Sequence, residues 1–499
     1  MYGVKHPVFI IMSIHTLPFG NLIEIDRNSA LPVFRQVANG LICLIRNGKI
    51  RPGYQLPPSR LMASELKLNR TTIVAAYDEL SAQGWLEVTE RRGVFVSKRL
   101  PGVSPRSFQA DTEEEGLPGP SFYRRITERP PVSPELKPFD LMINDGYPDQ
   151  RIAPLGAIFN HYKTLANRAY LHGQLMYGNA GSLSLRRELA VFLSQTRALN
   201  IQAENVLVTH GAQLAIFTAA SMIIKPGSTV IVAELNYVLA GKLFEHLGAR
   251  LIKVKVDEEG IDVDAVEEIC KKSRPALLYV IPHHHHPTTV TLSAGRRVKL
   301  LEIIRRYQLP VIEDDYDYDF HYDNSPILPL ASADHNGLVM YVGSISKTLA
   351  PTIRLGYLIG GSDFIWQASR LKQLAEIRGD VLFEESVAQL FNTGDMQRHI
   401  RRSVKIYKQR RDQFCDSLKS LGSDFARFVS PQGGMAVWVT FPEGYSLPQL
   451  SKRLAGKGIY MNEGSLYRYS PDINGARLGF ASLNPDEMSK FFEGFRLSL

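Results

Sequence analysis

The sequence predicts an α/β chain in two parts: a small helical domain closed by a β-hairpin, and a large domain built on a mostly parallel sheet. Three observations predict it. Residues 31–98 hold short segments of helical period followed by a hairpin pattern. Residues 139–499 alternate β-rich runs with amphipathic stretches. Between them, residues 99–138 carry eight prolines and an acidic run at Glu113, Glu114 and Glu115, the composition of a linker. Residues 1–30 form an N-terminal extension. At 499 residues the chain is too long for one core.

In the small domain, Val33, Val37, Leu41, Leu44 and Ile45 recur at helical spacing. Pro32 suits the first helical position and Gly48 the stop. A turn, RPGYQLPPSR, leads to a second short helix with Leu61, Met62 and Leu66 apolar. Asn69 is a good N-cap for a third, which presents Ile73, Tyr77 and Leu80 on one face until Gly84. WLEV and VFV then flank ERRG. Three helices and a basic hairpin make a winged helix-turn-helix.

Charge points the same way. Residues 31–99 contain 11 Lys and Arg against 5 Asp and Glu, so most of the chain's net charge of +8 sits there, which suits a polyanion partner. Arg70, Thr71 and Thr72 stand at the start of the third helix, the end that enters the major groove in this motif. Arg60 is placed for a phosphate or the groove, and Arg91 and Arg92 lie at the wing tip.

The large domain supplies the β-rich runs VLV, TVIVAE, LIKVKV, ALLYVIP, LPVIEDD, LVMYVGS and RLGYLIG. Its main chemical signal is VGSISKTLAPTIRLGY. A lysine just after a strand, small hydroxyl residues before it and an arginine seven positions on suit a phosphate-bearing aldehyde cofactor. Lys347 would form the Schiff base, Ser344 and Ser346 would reach the phosphate, and Arg354 would neutralise it. Asp314, at the carboxyl end of a strand, can pair with a pyridinium nitrogen, and Tyr316 with the ring oxygen. Asp315, Asp317 and Asp319 read as a solvated loop or a metal site. Ala212 and Gln213 open a helix after a strand, a phosphate-binding terminus. Tyr237 follows another strand and can stack on a ring.

The small domain's LPPSRLMASELKLNRTTIVAAYDELSAQGWLEVTERRGVFV resembles the GntR-type winged helix. That resemblance implies DNA contacts at Arg60, Asn69, Arg70, Thr71, Thr72 and Arg92. The large domain's GAQ, EDDYDY, GSISK and RLGY segments resemble fold type I aminotransferases. The combination is similar to the MocR branch of GntR regulators, with a PLP-dependent transferase fold and a smaller C-terminal α+β subdomain. The resemblance implies pyridoxal 5′-phosphate on Lys347, contacts from Ala212, Gln213, Tyr237, His284, Asp314, Tyr316, Ser344, Ser346 and Arg354, and an effector carboxylate on Arg477. It also implies a homodimer, of head-to-tail type in this family. Four departures fall on the effector side: HHHH at 283–286, Asn236 before the stacking tyrosine, YGNAG at Tyr177–Gly181, one residue shorter than the family's segment, and Ala436 where the family has histidine.

The function implied is a cytoplasmic regulator that binds operator DNA and senses an amine, an amino acid or the cofactor itself; the alternative is an aminotransferase with an accessory DNA-binding domain. Steady turnover is not expected, though a half-transamination fits the parts. The four histidines do not suit a metal, because neighbours on a strand point to opposite faces and no Cys or Glu partner is evident. Three scattered cysteines give no disulfide framework. No apolar run nears the ~18 residues of a membrane span.

Overall fold

The structure, a computed structural model, describes residues 17–89, 92–101, 139–167, 178–322, 327–422, 425–464, 467 and 473–498. Most of the expected linker, Arg91 of the wing tip and Tyr177 lie outside the described residues. The chain divides into two compact units, Met1–Arg125 and Ile126–Leu499.

In the first unit, α1 (Val33–Arg46) buries Val37, Leu41, Leu44 and Ile45. Pro32 stands one position earlier than expected, at the N-cap, where its missing N–H is equally harmless. Gly48 turns the chain at a φ of +71°. Helix α2 (Ser59–Leu66) follows, though its Leu61 faces outward. Helix α3 (Arg70–Ala82) begins at Asn69, whose side chain accepts from the Thr71 N–H at 3.2 Å. Tyr77 donates to the Pro57 carbonyl at 2.9 Å and ties α3 to the turn before α2. Strands β1 (Leu86–Thr89) and β2 (Gly93–Val96) pair antiparallel, with Leu86 opposite Val96. The Gln55 amide donates to the Arg92 carbonyl and fixes this wing to the body. Part of the expected N-terminal extension belongs to this core: Phe19 and Ile23 pack into the same apolar cluster as Leu41 and Ile73.

The second unit is built on a seven-stranded sheet, and each of the seven β-rich runs supplies one strand. In chain order they are β3 (Val206–Thr209), β4 (Thr229–Ala233), β5 (Arg250–Val254), β6 (Leu277–Val280), β7 (Val311–Asp315), β8 (Val339–Ser344) and β9 (Gly356–Ile359). Their spatial order is β3-β9-β8-β7-β6-β4-β5. All pairs are parallel except those of β9, which runs antiparallel to both neighbours. The strands are apolar almost throughout because both faces are covered. Val230 and Val232 join a cluster with Phe244, while Ile231 between them joins another with Leu300, the alternation that a two-faced strand requires.

A smaller subdomain follows. Arg427–Phe428, Ala436–Thr440 and Gly475–Gly479 form an antiparallel sheet, and their cluster includes Phe414 and Phe491 from Asp395–Lys419 and Pro485–Arg496. The strand Leu141–Ile143 pairs in parallel with Ile459–Met461. This pairing carries the segment after Ile143 across to the ends of the central strands. Among the described residues no helix is long and apolar enough to cross a membrane.

Gly343 of β8 lies opposite Tyr357 of β9. A Cβ there would sit 2.2 Å from the buried Tyr357 ring. Gly343→Ala is expected to cost ~1–3 kcal/mol through overpacking, measured as a lowered melting temperature; an unchanged melting temperature would show that the ring can shift freely.

Candidate functional site

The carboxyl ends of the parallel strands open into a cavity of about 260 Å³, the place where open α/β sheets bind ligands. Lys347 lies in a one-turn helix, Ile345–Thr348, directly after β8. The Ser344 hydroxyl caps that turn by accepting from the Lys347 N–H at 3.3 Å. The Lys347 Nζ donates to the Gly146 carbonyl at 2.9 Å and stands 4.1 Å from the Tyr147 ring centre. Burial lowers this amine to a pKa of about 8, against the pull of the Asp145 carboxylate.

Asp314 lines the same cavity from the end of β7. Its Oδ2 accepts from the Tyr279 hydroxyl at 2.6 Å, while Oδ1 is buried without a partner. Burial raises this carboxyl to about 7; the Tyr279 bond opposes the rise, and Asp315 and Asp317 add to it. Tyr316 donates to the His284 carbonyl at 2.8 Å and accepts from Arg477 at 3.0 Å. Tyr237 lines the cavity beside His286, the rings edge-on at 5.6 Å.

Ala212, Gln213 and Arg354 line the same cavity. Gly211, at a φ of +83°, lies so close to Arg354 that a Cβ would come within 2.6 Å of the guanidinium. Only glycine allows that approach. The Gln213 Oε1 is buried and unpartnered. Ser346 also lines the cavity, but its hydroxyl donates to the Leu355 carbonyl at 3.1 Å and accepts the Leu355 N–H at 3.2 Å. It closes the loop that returns Arg354 towards Lys347.

Two expected contacts are placed differently. His284 does not line the cavity: its Nδ1 meets Asp317 at 2.9 Å and its ring packs against Gly433 and Gly434. His286 lines the cavity instead, with Nε2 at 2.7 Å from Asp145. Strict alternation fails because His284 has a left-handed φ of +45°. Burial lowers the pKa of His286, and the Asp145 carboxylate beside it opposes that shift. Arg477 is fully buried and stands behind Tyr316 rather than in the lining.

The acidic run is neither solvated nor a metal site. Asp315 accepts from Tyr341 and lies 3.2 Å from His283, Asp317 pairs with His284, and Asp319 pairs with Arg197 at 2.9 Å. Among the described residues no cluster of three or more His, Cys, Asp or Glu could hold a metal. Asp145, Tyr147 and His286 were not expected in the lining. The sole hint was a Asp-Gly turn after a strand, and Gly146 meets Lys347 from 201 residues away.

In the first unit Arg60, Asn69, Arg70 and Thr71 are exposed and Thr72 is half-buried, gathered at the start of α2 and α3. The Arg70 Nε lies 3.4 Å from the Ser59 hydroxyl, which links the two helices. Arg92 is exposed at the wing.

A helical DNA-reader fold and a lysine-centred cavity on an aminotransferase-type sheet define a two-module regulator. Residues 161–495 match the model of class I and II aminotransferases, and residues 34–96 match that of the bacterial regulatory proteins of the gntR family. The chain belongs to the class I and II aminotransferase family and carries a GntR domain before it, the architecture of GntR/MocR-type transcriptional regulators. It is similar to an uncharacterized HTH-type transcriptional regulator, YdfD, of Bacillus subtilis, at 28% identity over 94% of this chain and 96% of that protein. It is also similar to a probable rhizopine catabolism regulatory protein, MocR, of Rhizobium meliloti, at 26% identity over 95% of each. Among solved structures, α-aminoadipate aminotransferase LysN of Thermus thermophilus superposes with a TM-score of 0.67 at 24% identity, over 73% of this chain and 92% of that one.

The raised Asp314 carboxyl has a consequence for stability. The folded state binds this proton more tightly than the unfolded chain, so its contribution is complete below about pH 4 and lost as pH rises through about 7. In ligand-free protein, Asp314→Asn is therefore expected to raise the melting temperature relative to the native chain more at pH 8 than at pH 4. An equal difference at both pH values would place the group in contact with water.

Proposed function

We propose that this chain is a DNA-binding transcription regulator whose large domain holds pyridoxal 5′-phosphate and senses an amine ligand through it. The observation that carries the proposal is the cavity itself: a lysine amine and an aspartate with an unpartnered buried oxygen line it together, in a chain that also bears a GntR domain. The donor set fits the cofactor. Asp314 Oδ1 is a buried acceptor awaiting a donor such as a protonated ring nitrogen. Arg354 and the first N–H groups of the helix Ala212–Ile223 make a cradle for a phosphate.

When bound, the cofactor supplies an aldehyde that takes up amines and a ring that withdraws electrons. Lys347 would hold it covalently, its lowered pKa leaving a useful share of neutral amine near pH 7. Asp314 would keep a proton at the ring nitrogen. Tyr316 would orient the ring oxygen and Tyr237 would cover a ring face. Ser344 flanks the phosphate end, while Ser346 holds the loop there.

In the reader, Arg70, Thr71 and Thr72 would enter the major groove, with Arg60, Arg92 and the free amide of Asn69 on the flanking phosphates. Arg91 would add a further backbone contact beside Arg92. Two copies would present two readers, and a ligand changes that presentation only by binding one arrangement better than another. The cytoplasm, with its DNA and reducing conditions, suits the three free thiols.

A second reading, a turnover aminotransferase, is favoured by similarity to an aromatic-amino-acid aminotransferase of Thermococcus litoralis, 28% identical over 64% of this chain and 78% of that protein. Fluorescence anisotropy on DNA from upstream of the chain's own gene separates the two, run with and without PLP at two salt concentrations. Sequence-preferring binding altered by PLP or an amine supports the regulator. Indifferent binding with turnover of ~1 s⁻¹ or more supports the enzyme.

Each module carries a prediction. Lys347→Ala is expected to abolish the visible absorbance band of bound PLP and its borohydride-reducible attachment; survival of both would misplace the site. Arg70→Ala is expected to weaken specific DNA binding by ~1–3 kcal/mol, and unchanged affinity in the anisotropy titration would remove Arg70 from the reading face.

A further inference from the structure

We propose that the large domain carries a second DNA-contacting surface: an exposed basic stripe of Arg401, Arg402 and Lys405 that takes the phosphate backbone of duplex DNA. The inference rests on the proposed role of the chain as a DNA-binding regulator and assigns it a contact outside the GntR domain.

The charge of the large domain is unevenly placed. The helix Asp395–Lys419 carries eight Lys and Arg against three Asp, while the rest of residues 139–499 carries 32 Lys and Arg against 34 Asp and Glu. A domain that is slightly acidic elsewhere thus concentrates its positive charge on one helix. Segregation of this kind points to a polyanion surface more directly than net charge does.

Much of that charge is matched within the protein. Asp395 pairs with Arg398 at 2.6 Å, Asp412 with Arg411 at 2.7 Å and Asp416 with Lys419 at 3.2 Å, so the helix's own carboxylates are all taken. Arg410 reaches Asp149 at 2.9 Å, and Lys408 donates to the Tyr322 carbonyl at 3.2 Å. Arg401, Arg402 and Lys405 remain. All three are exposed, and among the described residues none of them has an ion-pair or hydrogen-bond partner.

The helix holds these three side chains together. Its other face is buried through Met396, His399, Ser403 and Tyr407, which turns the basic face outward. Positions 398, 401, 402 and 405 follow the i, i+3, i+4, i+7 spacing of one helical face, so Arg398 joins the stripe beside its Asp395. Over those seven steps the helix rises ~10 Å, a length along which duplex DNA presents about six phosphate charges. Cations at these spacings repel one another and disfavour the helix. The arrangement is therefore unfavourable in the chain alone and is relieved by an anion. Arginine forks also match phosphate oxygens in geometry. The GntR domain makes duplex DNA the polyanion of this chain. A further contact on the same duplex adds affinity without adding sequence preference, because phosphates carry no sequence.

The test is an anisotropy titration of the full chain on DNA from upstream of its own gene and on a scrambled duplex, at several salt concentrations. The stripe variant combines Arg401→Gln, Arg402→Gln and Lys405→Gln. A control variant removes the same charge elsewhere on the domain, at three exposed positions, by Lys225→Gln, Lys272→Gln and Arg274→Gln. The stripe variant is expected to bind both duplexes roughly tenfold more weakly at low salt, and its slope of log affinity against log salt to be shallower by about 2 to 3. Its preference for the upstream DNA and its melting temperature are expected to hold, and the control to bind as the native chain does. Native affinity and native slope in the stripe variant overturn the inference and give the stripe to another partner, an anionic membrane or an acidic protein. An equal loss in the control overturns it too, since net charge alone would then account for the effect. A native chain that binds neither duplex overturns the regulator reading and this inference with it.

Discussion

A half-buried lysine amine and a buried aspartate carboxyl, at the ends of neighbouring strands, form the constraint on which the large domain depends. Neither is fully paired by protein. Lys347 has one carbonyl and the rings of Tyr147 and Tyr316; Asp314 has one tyrosine hydroxyl and one idle oxygen. Keeping such groups from water is unfavourable, so their positions must be imposed by structure that is stable for other reasons. The sheet does this. Its strands are buried on both faces, and clusters around Phe244 and Leu300 clamp it from either side. The short turn carrying Lys347 then has little freedom, being capped by Ser344 and anchored on β8.

Behind the cavity the polar groups are arranged in pairs. Asp315, Asp317 and Asp319 alternate with Tyr316 and Tyr318, so the tyrosine at 316 points to the cavity while the acids meet His283, His284 and Arg197. Burial drives His283 and His321 towards the neutral form. The histidine-rich segment is thus a packed polar layer whose rings meet tilted or edge-on, with His284 and His321 centres 4.9 Å apart. Such a layer fixes the orientation of the loop leading to His286.

Much of this was legible in the sequence, for a local reason. The seven apolar runs become strands of one sheet, and a parallel sheet gathers whatever follows its strands at one edge. Lys347, Asp314, Tyr237 and Ala212 all lie within a few residues of a strand end, so motif and location coincide. What was not legible depends on long-range pairing or on broken periodicity. Asp145 and Arg477 meet across 332 residues because Leu141–Ile143 pairs with Ile459–Met461. His286 rather than His284 faces the cavity because β6 ends at Val280 and the left-handed His284 resets the phase. Phe19 joins the first core from a segment too short to show a period. In the small domain Asn69, Gly48 and Gly84 punctuated the helices where the structure ends them.

The loop between Lys347 and Arg354 is a closed ring. The N–H groups of Ile345 and Ser346 both donate to the Leu355 carbonyl, and the Ser346 hydroxyl bridges that carbonyl and the Leu355 N–H. A ring of fixed circumference tolerates changes of side chain more readily than changes of length. Across relatives, insertions and deletions should therefore avoid this stretch even where its residues vary. The distance along the chain from lysine to arginine becomes a signature of ancestry more durable than the letters between them.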